Sequence, residues 1–145
     1  MESFAKVITF VLSCMCFLVG GLIYVTFRSE TLVMFDWFHA LGIDDLVSSL
    51  RDLGASFLPL PDWLLYSLPD GLWNLSYVLV MSALWDFDFH SHWKMFGLIP
   101  FIAISSEFLQ LLGLIHGSFD WMDLFAYCFA TIIGLIYCKI INILL

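Results

Sequence analysis

Positive charge is scarce in this chain. Five Lys and Arg stand against 13 Asp and Glu, for a formal net charge of −8. Nucleic-acid binding needs a basic stripe, and none can form here. A polybasic segment for anionic lipids is missing as well. Charge of either sign is thin, at 12% of residues, against roughly 25% in a soluble domain. Cysteine is limited to Cys14, Cys16, Cys128 and Cys138, each inside an apolar run. They read as small packing residues, not a disulfide framework. Catalytic signatures are lacking too. No serine sits in a Gly-flanked elbow, and there is no Gly-rich phosphate loop or His-Glu-x-x-His helix. The chain therefore leans toward a non-enzymatic reading that leaves an enzyme open, and no cofactor is expected.

Apolar surface is abundant instead. Hydrophobic types make up 62% of the chain and the mean hydropathy is +0.98. A soluble globule, with about 45–50% apolar residues, could not hide this much, whereas a bilayer solvates it directly. Aromatics reach 18%, with six Trp and five Tyr, types that favour the membrane–water interface. The expectation is an all-α integral membrane protein of one domain over residues 1–145. Four transmembrane helices are expected, with amphipathic interfacial helices between spans 1 and 2.

Span 1 is expected over about residues 5–27, from Lys6 to Arg28. A lipobox-like Val11-Leu12-Ser13-Cys14 lies within it, but the apolar run continues to Phe27, as in a retained span. Residues 29–70 carry Glu30, Asp36, Asp44, Asp45, Asp52, Asp62 and Asp70. Leu46, Val47, Leu50, Leu53 and Phe57 fall at helical spacing, with Asp44 or Asp45 as the cap and Pro59 as the stop. A second short helix is expected from Pro61, ended by Pro69-Asp70-Gly71. Span 2 is expected over about 72–87. Asn74, Ser76, Tyr77 and Ser82 mark it as packed between neighbours. Span 3 is expected over about 95–115 and span 4 over about 121–143. Four spans put both termini on one side with Lys6, Lys94 and Lys139, opposite Arg28 and Arg51. That bias points to cytoplasmic termini.

The same topology brings Asp70, Glu107, Asp120 and Asp123 toward one side of the membrane. A carboxylate at bilayer depth costs about 2.5–3.5 kcal/mol, so Glu107 must face the bundle interior, a wet cavity or a partner. Gln110 shares its helix face, while Asp120, Asp123 and Tyr127 form a polar stripe on span 4. His116 sits in the turn between them. Two readings stay open: a helix cap plus an interhelical clamp, or a functional site. A second group, Asp86-Phe-Asp88-Phe-His90-Ser-His92, would in extended form place two Asp and two His on one side as metal ligands. An ordinary polar loop is the reading preferred there.

Ser106-Glu107-Phe-Leu-Gln110, the short turn, Gly117-Ser-Phe-Asp120-Trp-Met-Asp123 and then Gly134 resemble the VanZ-like family of small bacterial membrane proteins. The resemblance covers roughly residues 70–135 and includes Asp70, Asn74 and Tyr77. The turn lacks the family's basic residue, with His116 nearest in place. Tyr127 stands for an Asn, and Gly71 and Asn74 for a Lys and a His. The resemblance implies a multi-pass protein of the bacterial inner membrane with a cell-envelope role. Its polar cavity would bind a lipid head group, a cation or an envelope precursor through Asp70, Asn74, Tyr77, Glu107, Gln110, His116, Asp120, Asp123 and Tyr127. Membrane lipids, a second copy or a membrane-protein partner are the expected contacts. The alternatives are an oligomeric channel or membrane-perturbing effector, and a lipid-modifying enzyme with Glu107 or His116 as general base.

Overall fold

The computed structural model describes residues 1–57 and 59–145. Six helices follow in order: α1 (Glu2–Phe27), α2 (Val33–Ala40), α3 (Asp44–Ala55), α4 (Asp62–Leu84), α5 (Phe89–Leu111) and α6 (Trp121–Leu144). No strand occurs among the described residues. Among the described residues three helices, α1, α5 and α6, are long and apolar enough to cross a membrane. Their outward faces are unpaired apolar surface: Phe10, Phe17, Leu22, Phe101, Ile102, Phe125, Ile132 and Ile136 are all more than half exposed. So large an apolar surface calls for lipid around it.

The fourth long helix, α4, is the centre of the bundle. It buries Leu65, Ser67, Pro69, Gly71, Asn74, Ser76, Val78, Leu79 and Ser82. Because protein surrounds it, α4 need not dissolve in lipid, and this explains its polar content. Helix α1 packs antiparallel on it. Gly20 lets Trp73 and the Pro69 carbonyl approach, and Ser13 Oγ donates to the Ser76 carbonyl at 2.9 Å. Helix α6 runs parallel to α4. A Cβ at Gly134 would lie 2.6 Å from Val78 Cγ1, so only glycine permits this approach. Helix α5 is antiparallel to both. Up–down connectivity therefore places Met1 beside Leu144 and Leu145.

The structure departs from the sequence-based expectation at Pro69. The expected break at Pro69-Asp70-Gly71 does not occur, and the short helix from Pro61 and span 2 are one continuous helix, Asp62–Leu84. Proline removes one backbone donor from a helix interior, but Pro69 is fully buried against α1 at Gly20. Tertiary packing offsets the local cost. The helix stops at Leu84 rather than residue 87, because Asp86 and Phe87 take positive φ of 53° and 59°. The Phe87 N–H bonds back to the Ser82 carbonyl at 2.9 Å, and the Phe87 ring is buried.

Between α1 and α4, α2 and α3 form a small cap. Arg51 holds it. Its Nη1 donates to the Val25 and Arg28 carbonyls, both at 2.8 Å, and its Nε pairs with Glu30 at 3.0 Å. These carbonyls are among those that a helix end leaves without intrahelical partners. Neither Asp44 nor Asp45 caps α3 with its side chain, since the N-cap is Ile43. Asp44 instead meets His39 at 3.1 Å.

Candidate functional site

The polar groups gather where the start of α4, the end of α5 and the start of α6 meet the end of α1. Asp70 faces inward from α4, its Oδ2 3.8 Å from Arg28 Nη2. Tyr127, Asp123 and Glu107 are its other polar neighbours. Glu107 is 4% exposed, and its Oε2 accepts the Asp120 backbone N–H at 3.3 Å. Asp120 Oδ1 in turn accepts the Met122 N–H at 2.8 Å, which makes it the cap of α6. The cap reading of Asp120 is therefore present in the structure, and of the two expected polar stripes only Glu107 meets the start of α6, through a backbone N–H.

Asn74 is one turn deeper than Asp70. Its Nδ2 donates to the Tyr127 carbonyl at 2.9 Å and to Thr131 Oγ1 at 2.8 Å. Gln110 does not reach the carboxylates by any hydrogen bond. Its side chain lies against Gly117, where a Cβ would come within 2.7 Å of Gln110 Cδ. Gly117 has φ +138°, a region that disfavours other residues.

Two expected members lie elsewhere. The Tyr77 hydroxyl donates to the Met95 carbonyl, toward the opposite end of α5. His116 is exposed in the turn after α5. The Asp86–His92 group is not an extended segment, because α5 begins at Phe89. Asp86 pairs with Lys6, Asp88 Oδ1 accepts the Ser91 N–H at 3.2 Å, and the His92 ring stacks on Trp85 at 4.2 Å. Among the described residues no set of three or more His, Cys, Asp or Glu is placed to hold a metal ion.

Arg28 was not anticipated from the sequence as a site residue. Its guanidinium lies between the rings of Tyr24 and Tyr66, at 5.1 and 4.9 Å, and Nη2 donates to the Tyr66 carbonyl at 3.2 Å. The apparent helix break at Pro69 concealed it. With α4 continuous and antiparallel to α1, Arg28 and Asp70 fall at one height.

The site is rich in acceptors. Among the described residues Arg28 is the one base within salt-bridge distance of Asp70, Glu107, Asp120 or Asp123. Among the described residues four buried side-chain atoms lack a hydrogen-bond partner: Arg28 Nε, Ser67 Oγ, Asn74 Oδ1 and Asp123 Oδ1. Arg28, Asn74 and Asp123 belong to the surroundings of Asp70, while Ser67 lines the outer face of the α4–α6 seam. Buried polar atoms are normally paired, so a concentration of orphans at one place marks unfinished bonding. No family model, curated protein or solved structure matches this chain.

Proposed function

We propose that the chain is a VanZ-like protein of the bacterial inner membrane, crossing it four times with cytoplasmic termini. In this reading α4 is the fourth span, enclosed by the three apolar ones, and α2 and α3 lie at the interface. The function is non-enzymatic binding of a cationic group in the carboxylate site of Asp70, Glu107 and Asp123. The supporting observation is that two buried acceptors, Asn74 Oδ1 and Asp123 Oδ1, lack donors in a cluster of carboxylates whose one base is Arg28. A purely structural cluster would be arranged to satisfy its own buried members, whereas a binding site leaves them for the ligand.

Thermal unfolding of the purified protein tests this. Ethanolamine should raise the Tm of the wild-type protein. Asp123→Asn should abolish that response while unfolding at the wild-type temperature or above, because functional like-charge groups commonly lower stability. Unfolding several degrees lower, with no ethanolamine response in the wild type, would make the cluster structural.

A further inference from the structure

The carboxylate site is closed at its depth and reaches the surface at Arg28 and Asp70. Asn74 and Glu107 are 2% and 4% exposed, whereas the side chains of Arg28 and Asp70 are 26% and 18% exposed. Arg28 follows α1 directly, and its backbone is fixed. Its N–H bonds to the Tyr24 carbonyl at 3.0 Å, and its carbonyl accepts Arg51 Nη1 at 2.8 Å. The side chain is held more loosely. A guanidinium carries five N–H donors. Among the described residues this one makes a single hydrogen bond, to the neutral carbonyl of Tyr66 at 3.2 Å. Nε is buried without a partner. Nη2 lies 3.8 Å from Asp70 Oδ2, within ion-pair reach but beyond the roughly 2.7–2.9 Å of a charge-assisted hydrogen bond. The Tyr24 and Tyr66 rings flank the cation at 5.1 and 4.9 Å, a contact without fixed donor directions. An arginine that locks a structure makes the forked pair with its carboxylate. Arg28 lends Asp70 its charge and makes no such fork.

We propose that Arg28 is a tethered counter-ion of the carboxylate site, displaced from Asp70 by the cation that binds there. This rests on the cation-binding reading above and adds what that cation competes with. The unpaired acceptors Asn74 Oδ1 and Asp123 Oδ1 have almost no accessible surface. A ligand's cation therefore engages Asp70 first, at the rim, where it meets a charge of its own sign. Like charges a few ångströms apart repel strongly in a partly dry site. Binding thus requires the guanidinium to swing away from Asp70. The swing gives up one hydrogen bond and two ring contacts and leaves the backbone of Arg28 in place. Arg28 sets the affinity of the site: a cation that binds Asp70 must outcompete a guanidinium already beside it.

The Tm of the purified full-length protein would be followed against ethanolamine concentration, since a ligand of the folded form raises Tm by mass action. Arg28→Gln removes the charge and keeps an amide that can donate to the Tyr66 carbonyl. It should lower the half-saturating ethanolamine concentration by about tenfold, equivalent to about 1.4 kcal/mol. Arg28→Lys keeps a competing cation and should stay near wild type. A second measurement needs no variant. Arg28 and Arg51 are the two arginines of the chain, and an arginine-selective dicarbonyl reagent reports on both by mass mapping. Ethanolamine should raise the modification of Arg28 relative to Arg51 as the guanidinium leaves Asp70. A structural Arg28 predicts the opposite pattern. Arg28→Gln would then bind ethanolamine no more tightly than wild type, and the modification of Arg28 would fall or stay constant. Either result would overturn the proposal, as would an equal gain in affinity from Arg28→Lys. If ethanolamine raises the wild-type Tm without these Arg28 effects, this inference alone falls. If neither wild type nor variants respond to ethanolamine, the cation-binding reading falls with it.

Discussion

Glu107 Oε2 accepts the backbone N–H of Asp120 at 3.3 Å. This bond ties the buried Glu107 near the end of α5 to the start of α6 and closes the intervening turn. Glutamine keeps an acceptor at that position and alanine does not. Glu107→Gln should therefore leave the unfolding temperature near wild type. Glu107→Ala should destabilise by about 0.5–1.5 kcal/mol, the net contribution of one partly buried hydrogen bond. Thermal unfolding in one detergent compares the two, and equal losses would contradict the assignment.

The α4–α6 contact depends on Gly134. An alanine there would place its Cβ 2.6 Å from Val78 Cγ1. Gly134→Ala should cost about 1–3 kcal/mol, as overpacking does. Gly97 on α5 meets nothing within 4 Å. Gly97→Ala should be neutral, or stabilising by about 0.5–1 kcal/mol through helix propensity. The pair separates packing from propensity in one unfolding assay.

Arg51 holds the α2–α3 cap to the end of α1 through two carbonyls and Glu30. Lysine's single ammonium cannot reproduce that planar fork. In Arg51→Lys, amide hydrogen exchange should accelerate across residues 44–55, with α4 and α6 unchanged. Uniform protection across the chain would show that the cap is held by its apolar contacts alone.

Asp88 caps α5 in the short connection after α4. Hydrogen bonds from Ser91 hold its carboxyl below the ordinary 3.8. A lowered folded value means that the cap's contribution is present above the unfolded value and lost as pH falls through the folded one. The first turn of α5 should therefore fray below about pH 4, seen as faster exchange at residues 89–92. Asp88→Asn, also a capping side chain, should remove this pH dependence.

Much of the architecture was legible in the chain itself. Apolar run length marked α1, α5 and α6, because crossing about 30 Å of hydrocarbon needs about 20 apolar residues whatever their partners. The expected alternation of spans also put Asp70, Glu107, Asp120 and Asp123 at one end, and the antiparallel order of α4, α5 and α6 brings them there. The capping role of Asp120 was readable from its place before an apolar run.

Sequence alone could not supply what depends on neighbours across the bundle. Pro69 reads locally as a break, yet α4 runs through it, because packing against α1 outweighs one lost backbone bond. Asp86 through His92 alternate like a strand, yet Phe87 turns inward with positive φ and α5 starts at once. Arg28 looked like the end of an anchor, and only the antiparallel pairing of α1 with α4 brings it to Asp70. Hydropathy and periodicity record how each segment meets its solvent. Which side chains meet one another, and which buried atoms are left without partners, is decided by helix against helix.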